Sequence, residues 1–263
     1  MKSTAITSIL ALAVCLGCKE NKKQTEETVG NDVPLQIEVQ PNLVVTPIEH
    51  ATAVLEWGDL TLYMDPVGGK ASFEGQKKPD IILITDIHWD HFSLETLEEL
   101  DTDGSTIVLP RAVADQIPDG SGFNLEIMEN GDRKEFSGIP VEAVPMYNLR
   151  EEALKFHEKG RGNGYVLSFG QQRVYFSGDT EDIPEMRALE NIDKAFICMN
   201  LPYTMTVERA ADAVIEFKPL EVYPYHFRGD PDVSDVAKFK ELVQAGDPNI
   251  RVVQLDWYPN DDF

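Results

Sequence analysis

The stretch Ile84-Thr85-Asp86-Ile87-His88-Trp89-Asp90-His91 places four metal-capable side chains, Asp86, His88, Asp90 and His91, within six positions. It continues the apolar run Ile81-Ile82-Leu83-Ile84, whose composition is that of a strand covered on both faces. In the irregular loop at a strand's end, neighbouring ligands point to different sides, so one segment can serve two cations. The end of such a strand is also where open α/β sheets place their sites. A single histidine has many ordinary roles. Four metal-capable side chains packed beside a buried strand do not read as surface decoration.

Upstream, 35–39, 43–48, 53–57 and 60–64 are short β-rich runs broken by turn residues such as Gly58-Asp59. Downstream, the pattern predicts a helix over 94–100 capped by Ser93, then a strand-rich stretch over 125–176. Further helices are predicted over 184–189, 207–217 and 235–243. Ala210, Ala213, Val214 and Phe217 share one face behind a Thr206 cap, and Val236, Phe239, Leu242 and Val243 do the same behind Ser234. Strands followed by helices occur twice, which predicts two packed sheets with helices on their outer faces.

Other chemistry-bearing segments follow this pattern along the chain. They are Ile48-Glu49-His50-Ala51-Thr52, Tyr63-Met64-Asp65-Pro66, Phe156-His157-Glu158-Lys159-Gly160 with Gly164-Tyr165-Val166, Tyr175-Phe176-Ser177-Gly178-Asp179-Thr180, and Tyr223-Pro224-Tyr225-His226-Phe227. Together with 84–91 they resemble the metallo-β-lactamase superfamily, whose signature is His-x-His-x-Asp-His after a buried strand. The resemblance runs from about Thr46 to the C-terminal region. With Thr204-Met205-Thr206 before an Ala-rich helix, it is strongest to the branch containing ascorbate-6-phosphate lactonase.

The resemblance implies an α/β fold, a four-layer αββα sandwich of two mixed β-sheets with helices on the outer faces. It also implies two divalent metal ions. His88 and His157 would hold the first, with Asp86 in the place of the signature's first histidine. Asp90, His91 and His226 would hold the second, and Asp179 would bridge both. Four of the five histidines in the chain fall in this set. Zinc is the cation the family implies, while the oxygen donor of Asp86 favours manganese or iron relative to an all-histidine site. The added negative charge also weakens the cation as a Lewis acid. If Asp86 does not bind, one cation is held tightly.

The implied activity is that of a metal-dependent hydrolase, with a metal-bound hydroxide attacking a lactone, ester or phosphodiester in a small-molecule substrate. Asp90 or Asp179 would orient the water and shuttle its proton. Asp65, at a strand end, is expected to fix the far nitrogen of a ligating imidazole. His50 either lines the cleft or makes a structural hydrogen bond within its strand. Tyr203 flanks a ligand segment and is a candidate substrate contact. Tyr147, Asn148, Arg161 and Tyr225 flank ligand segments and could contact substrate too, but for each of the five alone packing or surface duty is the simpler reading. Trp89 either stacks on substrate or shields the cations. The alternative to an enzyme is a non-catalytic metal-binding or metal-sensing lipoprotein, supported only by Asp86.

At the N-terminus, Lys2 precedes an apolar run over 5–16 that is too short to span a bilayer as a permanent helix. The run ends in Leu16-Gly17-Cys18, which resembles the lipobox of bacterial lipoproteins, with Cys15 where leucine is usual. The expectation is a lipoprotein signal peptide over 1–17, a lipidated Cys18 opening a flexible tether over 18–34, and a hydrolase domain over 35–263. That describes an exported, membrane-anchored lipoprotein on the periplasmic or cell-surface side. An ordinary secretory signal cleaved nearby is the other reading. Cys198 is then the remaining thiol, set in an apolar run as a buried small hydrophobe, and no disulfide framework is available. A formal net charge of −23 without a Lys/Arg block argues against nucleic acid as a partner.

Overall fold

A meander opens the computed structural model, which describes residues 41–259. Strand β1 (Leu43–Glu49) pairs antiparallel with β2 (Thr52–Trp57), and β2 with β3 (Leu60–Met64). Pairing then turns parallel through β4 (Ile81–Leu83), β5 (Thr106–Leu109) and β6 (Leu125–Ile127), which gives a mixed six-stranded sheet in sequence order. Helix α1 (Leu94–Glu99) lies between β4 and β5, and the short α2 (Arg111–Ala114) follows β5. Ser93 caps α1 by accepting a hydrogen bond from the Thr96 amide.

The apolar run at β4 has two destinations. Ile81 and Leu83 enter the core shared by the two sheets, whereas Ile82 and Ile84 join a second cluster with Leu97 of α1 and Val113 of α2. Covered on both faces, the strand has no use for a polar side chain.

The second sheet has seven strands. Strands β7 (Arg133–Phe136), β8 (Ile139–Met146), β9 (Gly162–Phe169) and β10 (Gln172–Phe176) run antiparallel. Strands β11 (Lys194–Ile197), β12 (Glu221–Pro224) and β13 (Arg251–Val252) continue parallel from β10. Its helices are α3 (Pro184–Arg187), α4 (Val207–Phe217) and α5 (Val236–Gly246). Leu62, Leu83 and Val108 of the first sheet join Val141, Leu167 and Val174 of the second in one core, so the architecture is the αββα sandwich of two mixed sheets.

Several details differ from the sequence reading. The cap of α5 is Asp235, which accepts from the Lys238 amide, because the Ser234 hydroxyl is engaged in donating to the Met199 carbonyl. Helix α3 ends at Arg187, where Ala188 leaves helical geometry at φ −88° and ψ 3°. Cys198 is free and buried as expected, and burial pushes its thiol up to about 12. The strand expected over 35–39, the export signal, Cys18 and the tether lie outside the described residues. No helix among the described residues is long and apolar enough to cross a membrane.

Candidate metal centre

The cluster is assembled from strand ends. Asp65 directly follows β3, the segment 85–91 follows β4, Asp179 stands three residues beyond β10, and His226 two beyond β12. His50 sits in the turn between β1 and β2, and His157 in the connection from β8 to β9. Among the described residues six non-glycine positions have positive φ, and three are His50 (57°), Asp65 (44°) and His226 (46°). Left-handed backbone at such residues costs about 1–3 kcal/mol and concentrates at functional sites. Before Asp179, Gly178 has φ 59°, and a Cβ there would lie 2.5 Å from the Met146 sulfur and 3.2 Å from Thr85 Cβ. Only glycine lets the end of β10 pass so close beneath the 85–91 loop.

Three groups of ligand atoms form, two of them sharing His226, each with all atoms within 4.8 Å of one another. The first is His91, Asp179 and His226, all buried. Asp179 Oδ2 is 3.4 Å from His91 Nε2, Asp179 Oδ1 is 3.2 Å from His226 Nε2, and the two imidazole nitrogens are 3.1 Å apart. His91 Nδ1 lies 2.8 Å from Asp65 Oδ2, and Asp65 also accepts the Thr85 amide and hydroxyl, each at 2.7 Å. With Nδ1 carrying the proton toward Asp65, His91 presents Nε2 to the cluster.

The second group is Asp86, His88 and His157. His88 Nδ1 is 2.7 Å from Asp86 Oδ2, and His157 Nε2 is 3.9 Å from the same oxygen. His157 Nε2 also stands 3.3 Å from Asp179 Oδ2, so Asp179 touches both groups. In the third group Asp90 Oδ2 lies 3.4 Å from His50 Nε2 and 3.5 Å from His226 Nε2. All five histidines of the chain therefore face one cluster.

His50 does more than line the cleft. Its Nδ1 is 2.8 Å from the Tyr258 hydroxyl, which accepts the amides of Phe227 (3.2 Å) and Arg228 (3.1 Å). Two N–H donors fill both lone pairs, so the hydroxyl donates to His50 Nδ1 and leaves the imidazole proton on Nε2, facing Asp90. Burial, reinforced by His226, pushes His50 down to about 4 and keeps it neutral.

Burial would raise Asp179, but His226 and His91 outweigh it and hold the carboxyl well below its usual range. Asp90 is lowered in the same way, with His91 and His226 overcoming burial. Conversely, burial would lower His91, yet Asp179, Asp65 and Asp90 drive it well above an ordinary imidazole. His157 Nε2 and Asp179 Oδ1 are buried without a hydrogen-bond partner, although each lies within 3.3 Å of an oppositely charged or chargeable neighbour in the cluster. Orphaned buried polar atoms are costly. Facing donors of this chemistry fit a divalent cation, which would satisfy both.

Two of the residues flanking ligand segments hold ligand side chains, a role the sequence reading does not assign to them. Arg161 grips Asp86 with a two-pronged pair, Nε to Oδ1 at 3.0 Å and Nη2 to Oδ2 at 2.8 Å, and also donates to the Phe156 carbonyl. Asn148 lies 3.1 Å from His157 Nδ1 and donates to the carbonyls of Ala153 and Tyr203. No local signal marks the Arg161 pair, which spans 75 residues, whereas Asn148 and His157 belong to one short connection. A cavity of about 330 Å³ opens over the cluster, with His50, Asn200, Arg228, Trp89, Phe156 and Tyr203 in its walls. Trp89 lies in the cavity wall and is 79% exposed.

A family model described as the beta-lactamase superfamily domain matches residues 44–226. A metal-dependent hydrolase of Pyrobaculum arsenaticum is 30% identical over 211 residues, covering 74% of this chain and 89% of its own. The crystal structure of a candidate metal-dependent hydrolase from Parabacteroides distasonis superposes with a TM-score of 0.74 at 36% identity, covering 82% of this chain and 94% of that one. A metallo hydrolase from the archaeon Ignicoccus hospitalis shares the fold with a TM-score of 0.68 at 20% identity, covering 81% and 94%.

Proposed function

Since the chain belongs to the metallo-β-lactamase superfamily and is a metal-dependent hydrolase, we propose that the clustered carboxylates and imidazoles hold two divalent cations as its active centre. Asp90, His91 and His226 would hold one, His88 and His157 with Asp86 the other, and Asp179 would serve both. The observation that carries this reading is the pair of orphaned buried atoms, His157 Nε2 and Asp179 Oδ1, within the cluster. Two imidazoles in each half suit zinc, and the oxygen donor of Asp86 extends the range to manganese or iron.

Divalent cations here would acidify a water and neutralise charge on the substrate oxygen. The protein's own groups do the rest. Asp90 opens onto the cavity, where it can take a proton, and the Nε2 proton of His50 holds its carboxylate in place. Asp65 fixes the ring of His91. A lactone is our first choice of substrate, then an ester, then a phosphodiester. That order rests on the likeness of Thr204-Met205-Thr206 and its helix to the lactonase branch. On Leu16-Gly17-Cys18 we place the domain outside the cytosol on a lipid anchor, acting on a small molecule and not on nucleic acid.

Elemental analysis of the purified protein, paired with a lactone, ester and phosphodiester panel, tests the reading. Asp179→Ala should abolish stoichiometric metal and lower turnover by about a thousandfold or more. Unchanged metal content and turnover in that variant would overturn it. Tight metal without turnover on any substrate would favour the metal-sensing alternative.

A further inference from the structure

Two polar side chains in the cavity wall, Asn200 and Arg228, take no part in the metal cluster. They come from adjoining segments. The Met199 amide donates to the His226 carbonyl at 3.3 Å and the Asp230 amide to the Leu201 carbonyl at 2.9 Å, so residues 199–201 run alongside 226–230. A Cβ at Gly229 would stand 1.9 Å from the Leu201 carbonyl oxygen, and only glycine lets the two segments close so tightly.

Asn200 is only 2% exposed, yet it keeps an open donor. The Thr204 hydroxyl accepts the Asn200 backbone amide at 2.9 Å and donates to Oδ1 at 2.5 Å. That bond fixes the side-chain amide and leaves its Nδ2, a pure donor, without an acceptor among the described residues. Donors this deep are ordinarily paired, so the partner of Nδ2 comes from the cavity. Arg228 is the sole arginine or lysine in the same wall. Its guanidinium lies 4.8 Å from the centre of the Tyr258 ring, and its Nη2 is 3.4 Å from Oε1 of Glu49, whose side chain is more than half exposed. An ion pair of that kind contributes little. The backbone of Arg228 is pinned by its amide bond to the Tyr258 hydroxyl and by a bridge to Val233.

We propose that Asn200 and Arg228 form a subsite for a carboxylate carried by the substrate beside the bond that is hydrolysed. That the carboxylate belongs to a hydrolysed molecule rests on the reading above, and the subsite itself does not. Both residues donate, one of them with a full positive charge, which selects an anionic oxygen acceptor. One guanidinium matches one negative charge. A phosphate dianion would leave a charge uncompensated within a chain whose formal net charge is −23.

Monohydroxamates of malonic, succinic and glutaric acid test this by calorimetry on the metal-loaded full chain. The hydroxamate head chelates the cations, and the far carboxylate probes the wall. Each is compared with twins that end in a carboxamide or a phosphonate. At the length that reaches, the carboxylate should bind about 10- to 100-fold tighter than the carboxamide, the range for hydrogen bonds to a charged group. Arg228→Met should abolish that preference and leave the carboxamide twin nearly unchanged, which also shows fold and cations to be intact. Arg228→Lys should keep part of the preference. Asn200→Asp retains the bond from Thr204 but puts a repelling oxygen in place of the donor, and should remove it. Equal affinity for carboxylate and carboxamide at every length, or a preference that survives Arg228→Met, would overturn the proposal and leave the hydrolase reading standing. A phosphonate that binds tightest would overturn the assignment to a carboxylate. A carboxylate preference in a protein that turns over no lactone, ester or phosphodiester would instead sink the hydrolase reading and keep the subsite.

Discussion

His91 and His88 come from the same short stretch, yet the carboxylates beside them live in different surroundings. Behind His91 stands Asp65, fully buried, whose other hydrogen bonds come from neutral groups of Thr85. Beside partly exposed His88 stands Asp86, itself a ligand candidate of the same group, whose oxygens are shared with the guanidinium of Arg161. Burial raises Asp65, with His91 and Thr85 only partly offsetting it. Burial would likewise raise Asp86, but its bonds to His88 and Arg161 lower it. An undivided carboxylate behind an imidazole makes it a stronger donor, whereas a carboxylate ligand already paired with arginine has less charge to give a cation. The His91 half should accordingly fill first and hold tighter, and the His88 half should fill second.

The largest effect that could break this contrast is Asp65→Asn. Loss of an orienting carboxylate typically costs 10- to 100-fold in metal affinity. The loss should fall on the first cation in a calorimetric titration and leave the second nearly unchanged. Next comes pH. Because His91 is held well above an ordinary imidazole, a proton competes with metal at its Nε2, so first-site affinity should climb about tenfold per pH unit through neutrality. In chelator-treated protein the sign reverses. The stabilisation from this raised imidazole is full below about pH 6.5 and is lost as pH rises through the higher folded value, readable as a falling Tm. A first-site affinity flat with pH would remove His91 from the ligand set. Smaller still, Arg161→Met should free Asp86 and tighten the second cation up to about tenfold, with Arg161→Lys between. Asp86→His should shift bound metal toward zinc, and elemental analysis after growth in mixed metals reads the result.

Much of the frame behind this contrast is legible in the chain. The run at 81–84 has the composition of a doubly covered strand, the bounds of α4 follow from its apolar face and Thr206 cap, and the histidine-bearing segments stand out because histidine is scarce here. A carboxylate at a strand end, Asp65, is also a natural candidate to orient an imidazole. Arg161 is different. Nothing in its neighbourhood records that the turn before β9 lays it on Asp86, because that meeting is set by the crossing of two sheets. The bond from His50 to Tyr258 spans 208 residues and is equally silent. The α5 cap read as Ser234 from the sequence is Asp235 in the structure, because both side chains are competent and only the distant Met199 carbonyl decides between them.

The finest test of the contrast is Thr85→Val. The Thr85 hydroxyl donates to Asp65 Oδ2 at 2.7 Å and lies 3.0 Å from His91 Nδ1, while its amide binds Asp65 Oδ1. Valine keeps the branched shape and the amide but deletes one of the donors that Asp65 receives. Loss of one such bond should cost about 1–3 kcal/mol of stability, because a buried charged oxygen is left short of a partner. The effect on metal should be only a few-fold, since the bond from His91 to Asp65 survives, and it should appear in the first binding step alone. Nothing in that change touches Arg161 or Asp86. A Thr85→Val protein whose second cation weakens as much as its first would show the two halves to be one coupled unit, and the distinction between Asp65 and Asp86 would lose its meaning.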